Sequence, residues 1–216
     1  MPRKTTDTPQ ARKLRSMKRL RALKVPVIAH LPTIERGRPR SVAAITDRIV
    51  GLQAVVMKAF AAPKEVQASF ARAFRPATKL TPAERRFMRA TRPDIETTKE
   101  LSWRCEALEV LLWSVGLTAE LPALRTSVSP QAQLDLVEAC RDAAGLRRVS
   151  QRRTHAELLD ASDLLYRAHW AVRDAGLRGK QPARALDPDV VLERDHASRW
   201  LLSQGGQAWD DVSCDT

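Results

Sequence analysis

The sequence predicts an all-α fold: a single compact domain of about seven or eight helices around a central buried helix, carrying a basic N-terminal arm. Three observations predict it. Helix-start signals recur along the chain, apolar residues repeat at three- and four-residue spacing, and no segment shows the strict alternation of a half-buried strand. Eight glycines in 216 residues, against abundant Ala, Leu and Arg, leave few helix breakers. This length suffices for one good core and is short for two. Residues 1–40 read as the arm and 41–216 as the helical domain.

Thr8 and Pro9 open the first helix, which runs to about Lys24 with Leu14, Met17, Leu20 and Leu23 at every third position. A three-residue repeat drifts around a 3.6-residue helix, so its buried seam is narrow, and Arg and Lys cover the remainder. Pro26 and Pro32 push Val25 and Leu31 out of helical geometry and make 25–34 an extended connector. Arg36, Gly37, Arg38, Pro39 and Arg40 resemble the core of an AT-hook, whose arginines enter a narrow, electronegative minor groove. The alternative is an exposed linker.

Ser41 caps a helix whose Val42, Ile45, Ile49, Leu52, Val56 and Phe60 make one broad stripe. Pro63 begins a helix to about Phe74, and Thr81-Pro82-Ala83-Glu84 is a capping box starting the next. Asp94 precedes a long helix ending at Gly116, Ser129-Pro130 opens one closed by Gly145, Thr154 with Glu157 opens one closed by Gly176, and Asp187-Pro188 opens the last. The central helix is the part from Trp103 to Val115, where apolar residues take up more than half the circumference.

The charge is unevenly placed. Residues 1–100 carry 23 Lys and Arg against 8 acids, and residues 101–216 carry 14 against 17, which makes the net charge of +12 a property of the front half. All five tryptophans and the one tyrosine lie in the back half, whereas single-stranded nucleic-acid binders interleave basic and stacking residues. Three cysteines, Cys105, Cys140 and Cys214, show neither disulfide-framework nor zinc spacing and fit a reducing cytoplasm. No apolar run follows the basic N-terminus, and no stretch has the length of a membrane span.

Candidate functional residues gather in the last fifty positions. On the helix from 155 to 175, Ala161, Leu164, Leu165, Ala168, Ala171 and Val172 already supply a core face. The opposite face, with Asp163, Tyr166, Trp170, Arg173 and Asp174, is surplus to core building and reads as a pocket wall or docking face, with His169 beside it. In the last helix Glu193, His196 and Trp200 share a stripe. A carboxylate there must pair or become protonated, so Glu193 is expected to meet Arg104, Arg173 or Arg194. Arg104 itself falls inside the apolar arc of the central helix and needs a carboxylate, while Glu106 lies at the arc's edge. The acidic end, Asp210, Asp211 and Asp215, is expected to lie against basic residues of the same chain. Its spacing matches no calcium loop.

Several blocks together resemble a bacterial family known as domain of unknown function 4272. They are Ala22 to Pro26, His30-Leu31-Pro32, Ser102 to Leu108 with Leu111-Leu112-Trp113, Tyr166 to Asp174, Val191 to Arg194, Trp209 to Val212 and Asp215-Thr216. The resemblance spans most of the chain and implies a shared helical fold and a bacterial source; it assigns no catalytic residue. The Arg-rich loop at 36–40 departs from the family pattern.

Three classes of function follow. The first is a non-enzymatic module that binds a protein partner or small ligand through Tyr166, Trp170 and the Trp209 tail. The second is a metal-assisted or acid/base hydrolase using His169, Glu193 and His196 with Asp174 or Asp210, since Glu-x-x-His places two ligand types on one helical face. A di-iron bundle needs a second such motif, and the sequence has none. The third is DNA binding through the basic arm, with Arg36, Arg38 and Arg40 as contacts. No P-loop, G-x-S-x-G, H-E-x-x-H or Gly-rich dinucleotide turn occurs, and no pattern specifies a cofactor, a metal or an oligomeric state.

Overall fold

A computed structural model describes residues 8–35, 37–202 and 207–214. Ten α-helices occur among these residues, and no strand. The capping signals act as their chemistry requires. Thr8 caps α1 (Pro9–Ala22), Ser41 caps α2 (Val42–Ala59), and Thr81 with Glu84 closes the capping box of α4 (Pro82–Arg89). Between them α3 (Lys64–Phe74) follows Pro63 and ends in Arg75 at φ 52°. Thr154 and Glu157 form a second capping box for α9 (His155–Leu177), and Asp187 caps α10 (Pro188–Leu201).

Two of the expected helices are each divided. The segment from Asp94 to Gly116 forms α5 (Ile95–Ser102) and α6 (Arg104–Ser114), separated at Trp103, where i+3 bonds from Trp103 to Glu100 and from Glu106 to Trp103 tighten the backbone. The segment after Ser129 forms α7 (Pro130–Glu138) and α8 (Ala143–Val149). Gly145 therefore does not close a helix. It sits in the first turn of α8, its N–H bonded to the Asp142 carboxylate, where an added Cβ would lie 2.0 Å from the Cys140 carbonyl oxygen. Gly176 is likewise within α9, which ends one residue later. Gly116 does terminate its helix: it takes φ 78°, and the bonds Gly116 N–H to Trp113 O and Leu117 N–H to Leu112 O make a Schellman motif.

Packing runs in a series. α6 is buried along its length except at Arg104 and lies between α2 and α10; α10 packs in turn on α9, and α9 carries α1. Leu108, Leu111 and Leu112 of α6, Ile45, Ile49 and Leu52 of α2, and Val191 and Ala197 of α10 belong to a single large core. α2 is nearly as enclosed, with α3, α4, α5, α7 and α8 around it. Of the drifting stripe on α1, Met17 and Leu20 are buried, and Leu14 and Leu23 are exposed. The connector is pinned by backbone carbonyls: Lys13 donates to Leu31 O, Arg12 to Ile34 O, and Arg167 to Pro32 O. No described helix is long and apolar enough to cross a membrane.

Candidate functional site

The polar residues of the last two helices form three separate assemblies and one open cleft. Deepest is the pair Glu106 and Arg194, both without solvent exposure. Arg194 gives Nε and Nη2 to one Glu106 oxygen at 3.0 and 2.8 Å, and its remaining N–H groups go to the carbonyls of Pro122, Ala123 and Thr126. The other Glu106 oxygen accepts Val128 N–H at 2.9 Å. The pair fastens the 117–128 loop to α6 and α10. Gln133 adds a neighbouring buried bond to Glu109.

The second assembly joins α9 to α10. His169 Nδ1 lies 2.9 Å from Asp195 Oδ2, which also accepts Arg199 Nε at 2.9 Å, and Asp195 is fully buried. Tyr166, Trp170 and Arg173, at helical spacing around His169, are half-buried. Arg199 stacks on the Tyr166 ring at 5.5 Å and Arg173 lies 6.0 Å from the Trp170 ring. The tail crosses this face: Arg199 donates to Ser213 O and Arg173 to Cys214 O. Burial among these groups pushes the Cys214 thiol up to about 12. Asp174 pairs with Arg178 at 3.0 Å on the outer side. Asp163, expected on this face, is instead fully buried against Arg167, because the connector covers that end of α9.

In the third assembly the tail plugs the fold. Trp209 is buried, edge-on to His196 at 4.7 Å and to Trp200 at 5.3 Å, with Arg48 over its ring at 4.8 Å. His196 Nε2 is 3.1 Å from Trp209 O. Burial, reinforced by Arg104, lowers the His196 pKa to about 4, which makes its ring neutral near pH 7 and a donor to that carbonyl. Asp210 accepts Ala83 N–H at 3.5 Å, bringing the turn after Trp209 to the start of α4. Arg40 faces inward: it covers Trp200 at 4.4 Å and donates to the carbonyls of Trp200 and Gln207. Gly37 lies so close to Leu202 that a Cβ would come within 2.8 Å of its side chain. Arg38 is exposed, and Arg36 lies outside the described residues.

Glu193 and His196, one helical turn apart, therefore point to different partners. Glu193 meets Arg104, as the sequence allowed, with a single Nη1 3.2 and 3.1 Å from its two oxygens. Burial raises the Glu193 pKa, and the Arg104 charge opposes the rise. Among the described residues no three His, Cys, Asp or Glu side chains converge as metal ligands.

Glu193 also lines a cleft of about 230 Å³ between α5 and α10, together with Glu96, Lys99, Glu100, Trp103, Asp189 and Leu192. Sequence reasoning did not find this cleft. Among its lining residues Leu192, 40% exposed, is a large aliphatic side chain that the core does not use, which only the structure reveals. Asp195 and Arg199 were also missed, since an acid and a base four residues apart on a helix ordinarily form a solvated pair.

The family model described as Domain of unknown function (DUF4272) matches residues 12–212, nearly the whole chain, and the chain belongs to that family. No curated protein and no solved structure matches it.

Proposed function

We propose that this member of the family is a non-catalytic helical module of the bacterial cytoplasm that binds a protein partner in the cleft between α5 and α10. The carrying observation is the pairing, in one concavity, of half-buried Trp103 and exposed Leu192 with an ionic rim. An aromatic and an aliphatic residue that the core leaves uncovered are the elements from which a small docking site is made.

The acid and base candidates support the same reading. His169 is held by Asp195, Glu193 by Arg104, Asp174 by Arg178, and His196 by the Trp209 carbonyl. Each has a partner within the chain, and these contacts fasten one element to another or lie along the surface of its own helix. Three free cysteines, one of them buried, agree with a reducing compartment.

Native mass spectrometry of the protein drawn from its own host at low salt tests the proposal. A partner chain retained by the parent protein, and released by Trp103→Ala and Leu192→Asp at unchanged helicity and melting temperature, is the expected result. Retention unaffected by both substitutions, or retention of a metal or small molecule with no protein chain, overturns it.

A further inference from the structure

We infer that the segment this cleft receives is a basic amphipathic helix of the partner, which seats a Lys or Arg side chain between α5 and α10. The inference rests on the binding-module reading above and adds the chemistry of the occupant.

The charge of the cleft runs against that of the molecule. The chain as a whole carries +12, yet the carboxylates of Glu96, Glu100, Asp189 and Glu193 line this one concavity against Lys99 and the neighbouring Arg104. A cation is therefore attracted here against the net positive charge of the chain, so the local field favours both the ligand's sign and its place of docking.

The innermost carboxylate is also under-compensated. Glu193, with a side chain only 10% exposed, relies for both oxygens on one nitrogen of Arg104 instead of a two-nitrogen fork, and the Arg104 Nε is buried without a partner. The other carboxylate near Arg104, Glu100, stands at 3.9 Å and draws the same guanidinium away. Each Glu193 oxygen thus keeps a lone pair unused. A second cationic head entering the cleft supplies the missing donors, which water at a protein surface does less well once a partner has covered the site.

The apolar features fix the rest of the ligand. A volume of about 230 Å³ is the size of one long side chain and below that of most small-molecule pockets. Lys and Arg carry aliphatic stems, which would lie along Trp103 and Leu192 with the charge directed to Glu193 and Glu100. Ile95, 85% exposed and next in the chain to the cleft-lining Glu96, is an apolar side chain available to a leucine one turn away on the same ligand helix. The chain's own basic helix is not this occupant within one molecule: α1 already spends its seam, Met17, Leu20 and Arg12, on the body of the protein, where it packs on α9.

The test uses isothermal titration of the full chain with two synthetic 14-residue helical peptides, one with Leu at i, i+3 and i+4 spacing and Lys elsewhere, the other with Glu in place of Lys. The Lys peptide is expected to bind with one-to-one stoichiometry. Its affinity should fall about tenfold or more from 50 to 300 mM salt, and similarly on Glu100→Lys combined with Glu96→Lys. Both substituted residues are exposed, so the fold is retained. Preference for the Glu peptide, or Lys-peptide binding that the double substitution leaves unchanged, overturns the inference. So does absence of binding by either peptide, and so does a dimer in sedimentation that the double substitution dissolves, which identifies a second copy as the occupant. If a partner is still released by Trp103→Ala in native mass spectrometry, the module reading survives any of these failures.

Discussion

Arg194 and Glu106, 88 positions apart in the chain, meet at 2.8 Å with neither side chain touching solvent. Every nitrogen of the guanidinium has an acceptor, and both carboxylate oxygens are engaged. Removing one partner strands a buried charge. Glu106→Gln and Arg194→Met should each lower the unfolding free energy by about 3–5 kcal/mol, whereas the paired change Glu106→Leu with Arg194→Met should recover a large part of that loss. Urea unfolding followed by circular dichroism gives the comparison. Equal losses for the single and double variants would mean that the loop carbonyls, not the ion pair, set the cost.

Gly145 and Gly176 make a matched pair of opposite sign. A methyl group at 145 would enter the Cys140 carbonyl, which is backbone and cannot swing aside, whereas the space around Gly176 is open. Gly145→Ala should destabilise by about 1–3 kcal/mol through overpacking. Gly176→Ala, inside a helix and near its end, should stabilise by up to about 1 kcal/mol. Thermal melts of the two variants should shift in opposite directions.

His196 makes stability depend on acidity. Its pKa falls from 6.5 to about 4 on folding, so the unfolded chain binds the proton more readily than the folded one. The contribution of the neutral ring is complete above pH 6.5 and is lost as the pH falls toward 4, up to about 3 kcal/mol in all. His196→Phe should flatten the stability profile between pH 6.5 and 5, a range above the ordinary carboxylate titrations. A profile that keeps its slope in the variant would assign the effect to another group.

Arg40 is placed to hold the tail rather than to face outward. Arg40→Ala removes its stacking on Trp200 and its bonds to the Trp200 and Gln207 carbonyls. The loss should be about 1–3 kcal/mol, and the exposed Arg38→Ala should be near neutral. Denaturant midpoints for the two variants measure the difference. If DNA binds the chain, Arg38→Ala should weaken it at unchanged stability, which a salt titration of a duplex probe would detect.

The helices were legible because their causes are local. Thr81, Thr154, Ser41 and Asp187 cap through atoms three residues away, and the enclosure of α6 follows from apolar residues on nearly every side of one helix. Even Glu193 was readable as a carboxylate in need of an arginine, since desolvation demands a counter-charge wherever the chain goes. Local rules failed at the divisions: Trp103 and the Cys140–Asp142 corner break two long periodic segments, and both pieces of each pack on α2, an arrangement set by packing rather than by periodicity.

What the sequence determined by itself was therefore the class of the fold, the positions of most helix ends, and which side chains could not stay unpaired. Only the tertiary structure decided the pairings. It gave Glu106 to Arg194 and Glu193 to Arg104, turned His196 away from Glu193 toward Trp209, drew Arg40 onto Trp200, and opened the cleft between α5 and α10. The physical reason is range. Capping and periodicity act over one helical turn, whereas an ion pair or a cleft depends on which faces of distant helices meet, and that is settled by burying the whole apolar surface at once.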